Sequence, residues 1–195
     1  MKLIAKGAEA CIYSLSAFGK EFVLKRRERK DYRVPELDLR LRAERTRSEA
    51  RTMLRLHAIG VRVPGLIALG KFSICMEKLE GMLLKDTQKT GGIFTEVGKA
   101  LALMHDNGTV HGDLTPANVM ICNSLPYLID FGLSSFTNGA EDKAMDLLLM
   151  KRAVSSRLYK SLEEAYLTNS RTGKEVILRL ADVEKRGRYQ NRNLE

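Results

Sequence analysis

The chain has 195 residues, enough for one domain or for two small lobes sharing a cleft. Its hydrophobic fraction of 44% excludes a disordered chain, and 33 Lys and Arg against 24 Asp and Glu leave a net charge of +9, which calls for an anionic partner, nucleic acid first. Cys11, Cys75 and Cys122 form no C-x-x-C pair, which argues against a zinc site or disulfide framework. No run approaches the ~18 apolar residues of a membrane span, so a soluble intracellular protein with reduced thiols is expected.

Residues 1–27 predict three short strands, with turn signals at Gly7-Ala8 and Phe18-Gly19-Lys20 and apolar alternation between them. Pro35 then opens a helical stretch with Leu37, Leu41, Met53, Leu54 and Leu56 at helical spacing, one helix or two, closed by Gly60 at C′. "VRVPGLIALGKFSICMEKLEG" returns to strand character, and residues 92–107, "GIFTEVGKALALMHDN", regain helical period. Residues 109–135 read as loop, strand, turn, strand and loop. From Glu141 to about Leu180 the pattern is helical. The last stretch, "EKRGRYQNRNLE", has little apolar content and is expected to be mobile, with Lys185, Arg186, Arg188 and Arg192 open to a phosphate backbone. A strand-rich half thus precedes a helix-rich half, an α+β arrangement with residues 1–79, 80–184 and 185–195 as small lobe and hinge, large lobe, and basic tail.

The chemistry concentrates in "VHGDLTPANV" and "LIDFG". Phosphoryl transfer asks the protein mainly for positioning and charge neutralisation. Asp113 stands where a carboxylate would accept the nucleophile's proton. Asn118, five residues on, offers an amide oxygen to a metal, and Asp130 of D-F-G offers a second carboxylate. Taken singly, Asp113 and Asn118 are ordinary turn residues; the joint order H-x-D-x-x-x-x-N, strand, strand, D-F-G is not a turn pattern.

Upstream, "FVLK" supplies Lys25 in strand context as the lysine for the α and β phosphates. Glu49 in "RSEAR" is the helix carboxylate chosen to hold it, over Glu44, because it keeps register with Met53 and Leu56. The phosphate cover is unusual: "KGAEACI" keeps one glycine, Gly7, of a G-x-G-x-x-G loop. The N–H groups of Ala8, Glu9 and Ala10 are expected to face phosphate, with the Glu9 side chain turned away, toward a helix or Lys25.

The pieces "KGAEACIY", "LKRRERKDYRVPELDLRLRAERTRSEARTM", "VHGDLTPANVMI", "LIDFGLS" and "EDKAMDLLLMKRAV" resemble the Bud-thirty-two family, called PRPK in animals, the small atypical kinase subunit of the KEOPS/EKC complex. The resemblance covers nearly the whole chain. It implies a minimal bilobal protein-kinase-like fold: a small N-terminal β-sheet lobe plus helix, a reduced helical C-terminal lobe, and ATP with Mg2+ between them. It also implies an assembly that makes threonylcarbamoyladenosine in tRNA, with an OSGEP/Kae-type catalytic subunit and a TPRKB/Cgi-type small subunit as partners and no membrane. The compartment implied is the cytoplasm, and the nucleus in a eukaryote. Carried over by position, Lys25 binds phosphate, Asp113 accepts the proton, and Asn118 and Asp130 hold the metal. Ile4, Ala5, Lys6, Gly7, Ala8, Glu9, Ala10, Cys11 and Ile12 cover the nucleotide. Met76 guards the back of the adenine pocket, and Glu77 and Leu79 offer backbone hydrogen bonds to the base.

The departures from ordinary protein kinases are informative. Gly112 replaces the arginine that contacts an activation-loop phosphate, and no A-P-E segment lies between Gly132 and Asp146. Thr115 replaces a catalytic-loop lysine. Asp146 either accepts N–H bonds from the catalytic loop or is a solvated helix-start residue. ATP hydrolysis and self-phosphorylation are expected over selective Ser/Thr phosphorylation of proteins. Two other classes share parts of the pattern: an aminoglycoside- or choline-type small-molecule phosphotransferase, and a kinase fold kept as a catalytically weak scaffold. A RIO-type kinase is a nearer relative, set apart by "GAEA" and "EDKAMDL".

Overall fold

The computed structural model describes residues 1–192, with side chains to residue 186. Two compact units divide the chain, Met1–Glu80 and Gly81–Glu195. In the first, the three predicted strands are β1 (Lys2–Lys6), β2 (Cys11–Ala17) and β3 (Lys20–Arg26). A single helix, α1 (Pro35–Ala58), leads to β4 (Leu66–Leu69) and β5 (Ser73–Glu77), and the antiparallel sheet runs β1-β2-β3-β5-β4. Strands β2 and β3 meet through Phe18 and Gly19, at φ 51° and 71°, so both turn residues adopt the left-handed conformation that matches strand twist in a two-residue hairpin.

Helix α1 starts with Pro35 in its first turn, carries Glu36 and Asp38 against its positive end, and ends with Arg55 and His57 at its negative end. Gly60, at φ 85°, closes it: Val61 N–H reaches the Leu56 carbonyl at 3.0 Å and Gly60 N–H the His57 carbonyl at 3.1 Å. The buried face differs from the expected apolar stripe. Leu37 and Leu54 are exposed, while Ala43, Thr46, Glu49, Ala50, Met53 and Leu56 face inward. At 100° per residue Leu37 and Leu54 lie on the side opposite Glu49, so the helix is oriented by its small and polar residues rather than by all its leucines.

The second unit opens with β6 (Met82–Leu83) and α2 (Gly91–Asp106), capped by Thr90. Strands β7 (Thr109–Val110), β8 (Val119–Cys122), β9 (Leu125–Leu128) and β10 (Ser135–Phe136) follow; β6-β8-β9 form one small sheet and β7 pairs with β10. Helices α3 (Ala140–Ala153), α4 (Ser156–Asn169) and α5 (Gly173–Arg192) complete it, α2 packing on α4 and α3 on α5 around Phe94, Leu101, Met104, Leu147 and Leu162. Among the described residues no helix is long and apolar enough to cross a membrane.

The segment read as a tail carries helix as far as Arg192. Its first turns are tied down: Lys151 meets Glu184 at 2.9 Å, and Arg186 meets Glu141 at 2.9 Å. Arg186 is thus not the open charge expected of it, whereas Lys185, 3.9 Å from Asp182 on an open surface, is only loosely paired. The side chains of Arg188 and Arg192, and residues 193–195, lie outside the described part.

Helix α2 packs tightly on α4 at Gly98, where an added Cβ would sit 2.3 Å from the Leu162 carbonyl oxygen. Gly98→Ala gains about 1 kcal/mol of helix propensity but overpacks a backbone contact, at about 3 kcal/mol. A net loss of about 2 kcal/mol is expected, measured as a lowered midpoint in urea unfolding.

Candidate active site

In the first unit, Lys25 sits on the central strand β3, paired across to Ile12 on β2 and Ile74 on β5. Its ammonium group is buried and reaches Glu49 Oε1 of α1 at 2.7 Å. The rival carboxylate, Glu44, is exposed and lies 3.9 Å from Arg40. Glu49 also holds a second cation. Arg27 is only 3% exposed, and its guanidinium donates to Glu49 Oε2 at 2.6 Å and to Thr46 Oγ1 at 3.4 Å. The signal was present in the spacing, since Lys25 on β3 and Arg27 just past its end are two apart and share a face.

The turn after β1 is closed by Gly7 N–H donating to the Ala10 carbonyl at 2.9 Å. Ile4, Ala5, Lys6, Gly7, Ala8 and Glu9 are exposed, Ala10 and Cys11 are buried, and Ile12 is half-buried. The Glu9 carboxylate turns to α1, accepting from Arg45 and lying 3.6 Å from Arg33. The Arg45 hydrogen bond, aided by the charges of Arg45, Arg33 and Arg27 against partial desolvation, holds the Glu9 carboxyl below the usual carboxylate range. Met76 lies half-buried on β5 between Val23 of β3 and Leu66 of β4. The Glu77 N–H is already donated to the Gly65 carbonyl at 2.8 Å, which narrows its expected backbone contribution to its carbonyl. Leu79 follows the strand and is half-buried.

In the second unit the loop from His111 to Asp113 is held from beneath. Asp146 of α3 is 1% exposed; its carboxylate accepts the His111 N–H at 2.6 Å and the Gly112 N–H at 2.8 Å. Of the two readings of Asp146, the loop anchor is the one observed. His105 Nε2 donates to the same carboxylate at 3.2 Å, and its Nδ1, 2.9 Å away, accepts from the Tyr166 hydroxyl. Burial pushes the Tyr166 hydroxyl up, so it stays protonated and donating. His105 and Tyr166 were missed in the sequence, where a histidine and a tyrosine in separate helices carry no shared signature.

His111 ties the loop to the D-F-G segment: its Nε2 donates to the Ile129 carbonyl at 3.0 Å, and its ring lies tilted on Phe131 with centroids 5.1 Å apart. Gly112 has φ 80°, and a Cβ there would fall 2.3 Å from the Leu133 carbonyl oxygen. The missing arginine thus has a steric reason, because this backbone admits no side chain at that position.

Asp113 and Asp130 are exposed. The Asn118 amide nitrogen donates to the Asp113 carbonyl at 2.8 Å and to Asp113 Oδ2 at 2.9 Å, which leaves the amide oxygen as its remaining ligand. Asp130 adopts φ 62°, and its Oδ1 accepts the Gly132 N–H at 3.1 Å. Asn118 and Asp130 offer hard oxygens of the kind Mg2+ takes, usually with substrate oxygens and water filling its shell. Consistent with so sparse a set, no group of three or more His, Cys, Asp or Glu suited to a metal occurs among the described residues.

Removing one partner of a buried ion pair strands a charge and costs about 3–5 kcal/mol, whereas an exposed pair is worth at most ~1 kcal/mol. Glu49→Gln is therefore expected to destabilise the chain by about 3 kcal/mol or more, and Glu44→Gln by less than about 0.5 kcal/mol, in parallel denaturant titrations.

A family model described as "RIO domain" matches residues 15–156. The chain is 36% identical over 217 residues to the KEOPS complex subunit Bud32 of Pyrococcus abyssi, covering 99% of this chain and 98% of that one. It is 38% identical over 195 residues to a probable bifunctional tRNA threonylcarbamoyladenosine biosynthesis protein of Methanosphaera stadtmanae, covering 94% of this chain but 36% of that protein, so it spans about a third of that relative's length. Among solved structures, the Rio2 kinase–ADP/Mg2+–phosphoaspartate complex of Chaetomium thermophilum shares the fold, with a TM-score of 0.66 at 18% identity over 97% of this chain and 72% of that one. The RIO match corrects the separation drawn from "GAEA" and "EDKAMDL": the second of these pieces lies inside the matched residues, and the chain carries a RIO domain.

Proposed function

The chain belongs to the Bud32 family of KEOPS complex subunits, RIO-type atypical kinases of the system that makes threonylcarbamoyladenosine in tRNA, and we propose that it serves that system as an ATP- and Mg2+-dependent phosphotransferase and ATP hydrolase. The observation that carries this reading is the buried Lys25–Glu49 pair at 2.7 Å. Taking a lysine and a carboxylate out of water is costly for stability alone, so the pair is better understood as fixing an ammonium group for phosphate oxygens.

The remaining roles follow from the chemistry of the side chains. Asp113, its carboxylate steadied by the Asn118 amide at 2.9 Å, accepts the proton of the attacking hydroxyl or water. Asn118 and Asp130 hold Mg2+ through oxygen. Bound there, the ion supplies charge neutralisation at the transferring phosphate. The Ala8–Ala10 turn contributes N–H groups to the phosphates, with Glu9 withdrawn by Arg45 so that its charge does not oppose them. Met76 and the Glu77 carbonyl, with Leu79, line the base.

With no A-P-E segment and no arginine at Gly112, protein substrates are selected poorly; water or the chain's own Ser and Thr are the favoured acceptors. The family reading extends to partners: an OSGEP/Kae-type catalytic subunit, a TPRKB/Cgi-type small subunit, and tRNA reached through the complex. The three free cysteines suit a reducing compartment, the cytoplasm and, in a eukaryote, the nucleus. Family matches over nearly the full chain set aside the small-molecule phosphotransferase reading. Whether the fold is only a scaffold is decided by turnover.

ATP turnover by the purified chain, with and without a co-expressed OSGEP-type subunit and tRNA, tests the proposal. Asp130→Ala is expected to lose more than tenfold of Mg2+-dependent turnover, a barrier increase above ~1.4 kcal/mol, with an unchanged unfolding midpoint. Asp113→Asn should suppress transfer while nucleotide affinity persists. Wild-type turnover indistinguishable from that of both variants would leave only the scaffold.

A further inference from the structure

Several basic groups outside α1 lie beside carboxylates. Arg27 is buried on Glu49, Arg26 lies 3.3 Å from Glu28, and Arg29 lies 3.7 Å from Asp31. Lys185 and Arg186 are paired within their own unit. A different set stands together on α1, where Arg40, Arg47, Arg51 and Arg55 are all exposed. At 100° per residue the four fall within about 80° of arc, and they span about 22 Å along the helix axis. Arg47 and Arg51, one turn apart, have no carboxylate partner among the described residues. Arg40 has Glu44 at 3.9 Å on an open surface, where an ion pair contributes little and exchanges readily.

We infer that this arginine face of α1 is a docking surface for an RNA phosphate backbone. Three observations favour RNA over an acidic protein face. The cations are all arginine, whose planar fork matches phosphate oxygens two at a time. They form a line rather than a cluster, with Arg47, Arg51 and Arg55 repeating about every 6 Å, which suits a polymer of regularly spaced charges. Arg47 and Arg51, one turn apart with no carboxylate on either among the described residues, cost self-repulsion, and a polyanion relieves it. The choice of RNA rests on the family reading above, since a tRNA is the polyanion that such a chain would meet.

The opposite side of the same helix explains why this face is free to serve. Glu49 lies about 180° from Arg40 and is buried with Lys25 and Arg27. Helix α1 therefore keeps the carboxylate that positions Lys25 inward, while Arg47 and Arg51 stand on the far side of the helix.

The test is fluorescence anisotropy of the full chain with a labelled tRNA transcript, titrated at several salt concentrations. The variant Arg47→Gln/Arg51→Gln removes two charges without stranding a carboxylate, and glutamine keeps helix propensity. A control, Lys160→Gln/Lys174→Gln, removes the same net charge from exposed positions on α4 and α5. The arginine variant is expected to weaken binding roughly tenfold at low salt and to reduce the slope of log affinity against log salt by roughly 1.5 to 2, while the control stays near wild type. ATP turnover and the unfolding midpoint should be unchanged in both, which separates a lost surface from a lost fold. Equal weakening by variant and control would mean that only net charge matters, and wild-type binding by the arginine variant would mean that RNA sits elsewhere; either result overturns the inference. Absence of ATP turnover in the wild type would instead count against the phosphotransferase reading and leave the binding result standing.

Discussion

A single buried carboxylate, that of Asp146, sets the geometry on which the second unit's chemistry depends. It accepts two successive backbone N–H groups, of His111 and Gly112, and a third hydrogen bond from His105. A charge removed from water survives only when its lone pairs are filled, so burial and anchoring are one requirement rather than two. The Tyr166 hydroxyl completes the chain by fixing the His105 tautomer. Helices α2, α3 and α4 thus converge on one loop, and Asp113 inherits a rigid backbone while its own side chain remains exposed.

The loop's conformation also accounts for what it lacks. Two N–H groups aimed at one carboxylate turn the backbone at Gly112 into the left-handed region, against the Leu133 carbonyl. Arginine cannot follow there without moving the backbone. The loss of an activation-loop contact is therefore tied to the way this short chain holds its loop. His111 extends the same rigidity to the segment bearing Asp130, through Ile129 and Phe131.

In the first unit one helix has several uses at different angles around its axis. Glu49 gathers Lys25 from β3 and Arg27 from just past its end, and Arg45, one turn earlier, draws Glu9 away from the turn after β1. The outward arginines complete the circuit. Such a helix buries few leucines, and its orientation follows from ionic and hydroxyl contacts in place of a continuous apolar stripe.

Much was legible in the sequence because it depends on local backbone chemistry or on fixed spacing. The hairpin turns, the Pro35 start and Gly60 stop of α1, and the order of His, Asp, Asn and D-F-G follow from residues near one another in the chain. Glu49 was separable from Glu44 by helical register alone, and the structure pairs it with Lys25. What sequence could not assign were the partners of polar groups distant in the chain. Asp146 allowed two roles, Arg186 read as an open charge, and His105 with Tyr166 gave no sign at all. A charged side chain has the same local signature whether it faces water or a counter-ion; only packing brings the counter-ion to it, and the cost of an unpaired buried charge then decides which of the two it does.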